Sequence, residues 1–166
     1  MKRCLCYLAA IAVAFFFIGR AFPKSWLQAD RWLFRCRSFE KNGRVYEKLG
    51  IRFWQNKLPD MSRVLPCLVP PKQLNGDYRD RLPEMIRETC AAELTHLLEA
   101  VAGLWCLHLW PGVGGVVMAS LCILINLPFI LIQRYNRPRF LRLLRRCGLE
   151  SEETMHYETK KSCCGL

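Results

Sequence analysis

The stretch PEMIRETCAAELTHLLEAVAGLWCLHLW, residues 83–110, decides how the rest of the chain is read. It opens with charge, in Glu84, Arg87 and Glu88, and turns steadily more apolar toward Trp105 and Trp110. Pro83 suits the first turn of a helix, where its missing N–H is no loss, and Glu84 and Glu88 suit the positive end of the helix dipole. A helix is therefore expected from Pro83 to the neighbourhood of Trp110, with its acidic and imidazole-bearing residues where water gives way to lipid. Ionisable groups held at that depth are costly, which makes them functional candidates. Just beyond, Pro111-Gly112-Val113-Gly114-Gly115 reads as a tight turn, and the two tryptophans read as an interfacial belt.

Working outward, residues 113–132 form a second apolar run of about 20 residues, long enough to cross a bilayer. It gives way to Gln133-Arg134-Tyr135-Asn136-Arg137-Pro138-Arg139. In an antiparallel hairpin, residues equally distant from the turn share a depth, so His96 should have Asn126, Gln133 or Arg134 among its neighbours. A third apolar run, residues 4–18, follows Lys2 and Arg3. No small-x-small cleavage site comes after it, only Gly19-Arg20-Ala21-Phe22-Pro23, so an uncleaved anchor is expected. With 166 residues, 52% hydrophobic content and a net charge of +11, the chain fits a small basic membrane protein better than a soluble domain. The expected fold class is all-α, a small integral membrane protein with about three transmembrane helices plus interfacial amphipathic helices.

Four segments follow. Residues 1–20 form the anchor and 21–82 a cytoplasmic or interfacial segment; residues 83–148 hold the central helix, the hairpin and a basic helix, and 149–166 a polar tail. Lys and Arg crowd residues 20–87 and 134–146 but are absent from 110–115. The positive-inside rule then puts both basic regions in the cytoplasm, the hairpin outside, and the N-terminus outside. The protein is expected to be a multi-pass cell-membrane protein with its site at the cytoplasmic face.

In the interfacial segment, Phe22, Trp26, Ala29, Leu33 and Cys36 recur at spacings of three and four, opposite Lys24, Gln28, Arg31 and Arg35. That pattern predicts an amphipathic helix lying in the headgroup region over residues 22–36. Asn42-Gly43 marks a turn, and Arg44 to Leu49 a short helix closed by Gly50. Residues 51–60 mix aromatics with cations; beside a membrane this favours anionic lipid, and no nucleic-acid partner is expected. Pro66, Pro70, Pro71 and Asn75-Gly76-Asp77 make residues 61–82 an irregular connector. The ten cysteines are scattered without Cys-x-x-Cys spacing and read as reduced thiols. Cys163-Cys164-Gly165-Leu166 is a poor prenylation box, and no Gly-rich phosphate loop is present.

The chemistry lies in the helical hairpin. Glu93 and His96, three apart, share one face, and Glu99 continues roughly that face. A carboxylate beside an imidazole fixes its tautomer and raises its basicity, as a general base requires. The plainer reading is a Glu–His hydrogen bond that merely satisfies two polar groups near lipid. No metal is expected, because neither a second Glu-x-x-His nor His-Glu-x-x-His occurs. Asn126 and Pro128 weaken the last span from within. Arg134, Arg137 and Arg139 offer forked donors to phosphate or carboxylate, and Asn136-Arg137-Pro138 is expected to bend the chain before a final helix ending at Gly148.

These residues resemble a known family. Phe39-Glu40-Lys41-Asn42-Gly43 followed by a Trp-containing basic run, Glu88-Thr89 with Ala92-Glu93-Leu94-Thr95-His96, and Asn126-Leu127-Pro128 leading to the motif at 133–139 carry the likeness, which covers residues 22–146. The chain resembles the glycosyl-4,4'-diaponeurosporenoate acyltransferase family, small integral membrane proteins associated with the last, acylating step of staphyloxanthin synthesis. The resemblance implies esterification of a fatty acyl group onto a sugar hydroxyl of a glycosylated carotenoid. On that reading His96 and Glu93 are catalytic, and Glu88, Asn126, Gln133, Arg134, Tyr135, Asn136, Arg137 and Arg139 bind substrate. The partners are a lipid acceptor and an acyl donor; acyl-CoA or acyl-carrier protein suits a cytoplasmic face, and no bound cofactor is expected. Two other classes compete: a non-catalytic lipid-binding or scaffold protein using the same arginines, and a metal enzyme using Glu88, Glu93 and His96. The resemblance favours the acyltransferase.

Overall fold

The structure is a computed structural model in which residues 1–58 and 79–148 are described. The expected connector falls largely outside them, as do the polar tail and its Cys163-Cys164-Gly165-Leu166 end. All regular structure among the described residues is helical. Helix α1 spans Lys2–Ala21, α2 Arg44–Lys48, α3 Ile51–Trp54, α4 Leu82–Gly103, α5 Cys106–Leu109 and α6 Val113–Arg146, with 3₁₀ turns at Lys24–Trp26, Ser38–Gly43 and Gln55–Lys57.

Three stretches are long and apolar enough to cross a membrane: α1 with 20 residues, Leu82–Leu109 with 28 and α6 with 34. At 1.5 Å per residue, about 20 residues match the roughly 30 Å hydrocarbon core. Their outward side chains stay apolar. Val13, Phe17, Val113, Leu124 and Ile125 are all exposed, which water would penalise and lipid accommodates. Among the described residues the fold is all-α, with three helices long and apolar enough to span a membrane.

The chain forms two compact units. The first comprises Met1–Leu27 and Glu88–Arg134. Within it α4 and α6 make the hairpin, and the contacts locate its turn: Glu93 meets Arg134, His96 meets Asn126, and Cys122 donates to the Glu99 carbonyl. Each pair lies nearly symmetrically about Pro111 and Gly112, as residues of antiparallel helices must. Helix α1 runs antiparallel to α4. Cys4 packs with Cys106 and Ala119, the Tyr7 hydroxyl donates to the Ala102 carbonyl at 3.0 Å, and Gly19 faces Thr95. The expected unbroken helix to Trp110 instead stops at Gly103 and re-forms as α5. Gly103 lies against Cys122, and a Cβ there would meet its sulfur, so the residue that permits close helix packing is also a weak helix former.

The second unit comprises Gln28–Arg87 and Tyr135–Leu166. Its core gathers Leu82, Ile86 and Leu144, with Ala29, Phe140 and Leu141 packed against them. The bend and separate final helix expected around Pro138 do not form, because α6 is continuous from Val113 to Arg146. Proline removes one backbone hydrogen bond, and the burial of Tyr135, Arg137 and Leu144 on this part of the helix offsets that loss.

The amphipathic helix expected over residues 22–36 is also absent. Phe22 is extended (φ −61°, ψ 137°), as a residue before proline prefers, and this ends α1. Beyond the short 3₁₀ turn, the backbone folds into turns closed by hydrogen bonds such as Phe34 N–H to the Arg31 carbonyl at 2.9 Å. The buried side chains are Leu27 and Phe34, while Trp26 and Trp32 are exposed, so of the pattern's apolar face Ala29 packs on the core but Trp26 does not. Arg137 Nη1 donates to the Phe34 carbonyl at 2.6 Å, claiming an acceptor that a helix would have used internally.

The Phe39-Glu40-Lys41-Asn42-Gly43 segment builds an unusual turn. Lys41 (φ 47°), Asn42 (φ 55°) and Gly43 (φ 87°) are all left-handed. Buried Glu40 stabilises the turn, accepting from the Tyr46 hydroxyl and the Arg37 N–H. The expected Asn42-Gly43 turn is present, as is the short helix ahead of Gly50. Gly50 is also left-handed (φ 65°), with nothing within 4 Å of a Cβ, whereas a Cβ on Gly43 would lie 3.3 Å from the Tyr135 carbonyl oxygen. Gly50→Ala should therefore cost only the backbone term, roughly 1–2 kcal/mol. Gly43→Ala should cost more, because Tyr135 must also give way. Thermal unfolding of the detergent-solubilised protein reads the difference, and equal losses would refute the close approach.

Candidate functional site

The first unit holds the imidazole. His96 Nδ1 lies 2.8 Å from Asn126 Oδ1, and the Asn126 amide nitrogen donates to the Cys122 carbonyl at 2.9 Å. A carbonyl can only accept, so this second bond fixes which way the amide points and leaves its oxygen toward the ring. In the neutral imidazole Nδ1 must then carry the proton, and Nε2 the lone pair. Asn126 thus sets the tautomer that a base requires. Phe129 stacks on the ring, with centroids 4.7 Å apart and planes 16° from parallel. The His96 side chain keeps 23% exposure, enough for a substrate group to reach it.

The carboxylates divide differently from the expected Glu93–His96 pair. Glu99 Oε2 stands 3.6 Å from His96 Nδ1, outside hydrogen-bonding range but close enough to stabilise an imidazolium. Glu93 is bound instead by Arg134, whose Nε donates to Oε1 at 2.7 Å, with side chains 3% and 18% exposed. Shared helical face made Glu93 and Glu99 equal candidates for the ring. The guanidinium on α6 decides between them, because a charge-assisted bond to Arg134 outcompetes one to a neutral imidazole. Glu99 was within reach of sequence reasoning through its i,i+3 spacing from His96; Phe129 carried no signal beyond being apolar.

The other expected site residues separate by unit. Glu88 is half-buried and Gln133 buried in the first unit, together with Thr89. Tyr135, Asn136, Arg137 and Arg139 belong to the second. Arg137 is 3% exposed, tied to the Phe34 carbonyl and lying 5.4 Å from that ring's centroid, contacts that pack its unit. Tyr135 is buried as well. Its hydroxyl accepts from Arg52 Nε at 3.1 Å, and the Arg139 guanidinium lies over its ring at 4.9 Å. Among the described residues no three of His, Cys, Asp and Glu gather as metal ligands would.

Arg52 is a residue that sequence reasoning did not single out. It stands 83 positions from Tyr135, and only folding joins them. Its Nη2 also donates to Glu47 Oε1 at 2.6 Å. The Tyr135 hydrogen bond first, and the Glu47 carboxylate second, raise its pKa above the ordinary arginine value.

Comparisons with known proteins identify the family. The family model described as glycosyl-4,4'-diaponeurosporenoate acyltransferase matches residues 23–146. The protein of that name from Staphylococcus aureus strain MRSA252 is 29% identical over 129 residues, covering 77% of this chain and 78% of the relative. Those of strains bovine RF122 / ET3-1 and USA300 are 28% identical over the same length and the same shares. No solved structure matches the chain at a significant level. The matched range makes up most of the chain: it belongs to the glycosyl-4,4'-diaponeurosporenoate acyltransferase family.

Proposed function

We propose that the protein is a membrane-bound acyltransferase that esterifies a fatty acyl group onto a hydroxyl of a glycosylated, carotenoid-like lipid, with His96 as general base. The observation that carries this reading is the Asn126 contact, which leaves Nε2 of a partly exposed imidazole as a proton acceptor. Nε2 takes the proton of the sugar hydroxyl as its oxygen attacks the carbonyl of the acyl donor. Glu99 stabilises the imidazolium. The imidazolium then returns the proton to the departing thiolate, so an ester and a free thiol result. A thioester donor, acyl-CoA or acyl-carrier protein, matches this exchange. Arg134, oriented by Glu93 one turn before His96, supplies fixed positive charge on the same hairpin.

We infer that the site lies at the cytoplasmic face. The antiparallel course of α1 and α4 supports this, since it puts Arg20 and Arg134 at one end of the first unit and the hairpin turn at the other. A reporter fused after Gly148 should behave as cytoplasmic, and one inserted at Gly114 as external; the reverse pattern would overturn the placement. Lipid extracts from cells with and without the protein test the activity. A glycolipid lighter by one acyl chain should accumulate in its absence, and identical extracts would refute the transferase.

A further inference from the structure

In the second unit Tyr135 is a buried post with a cation on each of two aspects. Arg52 holds its hydroxyl at 3.1 Å, and Arg139, one helical turn along α6, covers its ring at 4.9 Å. Both arginines are exposed although the phenol between them is not; the Arg52 side chain is 69% exposed. The post itself is rigid. It is 1% exposed and its backbone carbonyl abuts Gly43, so the two long side chains are attached to a fixed point.

A guanidinium resting on an aromatic face keeps its N–H donors in its own plane, directed away from the ring. Arg139 is exposed and meets Tyr135 over the ring and not through a hydrogen bond, so that contact leaves its donors for a ligand. Arg52 uses Nε for Tyr135 and Nη2 for Glu47, and its Nη1 edge remains. Two like charges gathered at one side chain repel, and Glu47 neutralises only one of them. A group carrying two or more negative oxygens, spaced to meet both forks, relieves that repulsion and matches the planar donor geometry.

We propose that Arg52 and Arg139, set about Tyr135, form a phosphate site for the phosphorylated head of the acyl donor. This rests on the acyl-transfer reading above and requires a phosphate-bearing donor head: a coenzyme A-type thioester or, where the proton returns to a departing lipid hydroxyl in place of the thiolate, a phospholipid. It also divides the basic motif by role: Arg137 is buried and structural, while Arg139 two positions later receives the ligand, joined by an arginine from a distant helix.

The test uses the full chain in nanodiscs of zwitterionic lipid. Coenzyme A and pantetheine, which lacks the phosphates, are titrated against the wild type, Arg52→Gln, Arg139→Gln, the double variant and Lys48→Gln, an exposed cation without a hydrogen bond or ring contact to Tyr135. Retention of phosphatidylglycerol by the same proteins is read in parallel by native mass spectrometry. Coenzyme A should bind and pantetheine should not. Each single variant should weaken coenzyme A about tenfold, as loss of one charge-assisted pair does, with Lys48→Gln unchanged. If phosphatidylglycerol is retained in place of coenzyme A and released by the same variants, the head belongs to a lipid donor. If the wild type takes up neither probe, or the correctly folded double variant binds both as the wild type does, the site is overturned. His96→Ala should bind these probes normally, so failure of the catalytic assignment and failure of the phosphate site appear in different measurements.

Discussion

Replacing His96 by alanine should lower acyl transfer by about 10²- to 10⁴-fold, the range that a positioned general base supplies, while the protein stays inserted and folded. The geometry makes two graded companions. Asn126→Leu removes the acceptor that holds the proton on Nδ1, so the ring samples both tautomers and the rate should fall by less than in His96→Ala. Glu99→Gln keeps a polar group 3.6 Å from the ring but cannot stabilise the imidazolium, and it too should fall short of the His96 loss. Glu93→Gln acts on Arg134 and only indirectly on the ring. Rates measured with a soluble thioester donor and extracted glycolipid acceptor rank the four. A scaffold that only binds lipid would tolerate His96→Ala, and full transfer by that variant at normal expression would sink the catalytic assignment.

The second large effect is on stability. Glu93 and Arg134 join α4 to α6 as an ion pair whose carboxylate is almost wholly buried. Removing one partner takes from the other its 2.7 Å charge-assisted bond in a low-dielectric setting, at about 3–5 kcal/mol. Arg134→Leu should therefore destabilise the detergent-solubilised protein by that amount. Glu93→Leu combined with Arg134→Leu should recover much of the loss, because the buried carboxylate is removed together with its cation. The non-additivity is the diagnostic. If each single variant costs no more than the roughly 0–1 kcal/mol of an exposed pair, the bridge does not hold the hairpin together.

Apolar run lengths, the Pro111-Gly112 turn and equal counting from it were enough to bring His96 to Asn126, because a continuous hairpin converts sequence position into depth. The short helix ahead of Gly50 and the turn at Asn42-Gly43 were legible for a similar reason: glycine and asparagine tolerate left-handed backbone, so they punctuate the chain locally. Helix periodicity likewise placed Glu93, His96 and Glu99 on one face.

Periodicity could not choose partners. Which carboxylate serves the imidazole depended on where Arg134 reached from α6, and a charge-assisted bond settled the competition. The residues at 22–36 had a helical period and still formed turns, because Pro23 ended α1 and Arg137, more than a hundred residues away, took the Phe34 carbonyl. Pro138 carried a break signal, and burial of its neighbours on α6 overrode it. The basic motif at 133–139 looked uniform as a string, yet packing buried Arg137, exposed Arg139 and recruited Arg52 to Tyr135. Local sequence thus determined face, depth and turn in this protein. Only the tertiary structure decided which charges meet and which remain open to a ligand, since each such choice is a competition among groups far apart in the chain.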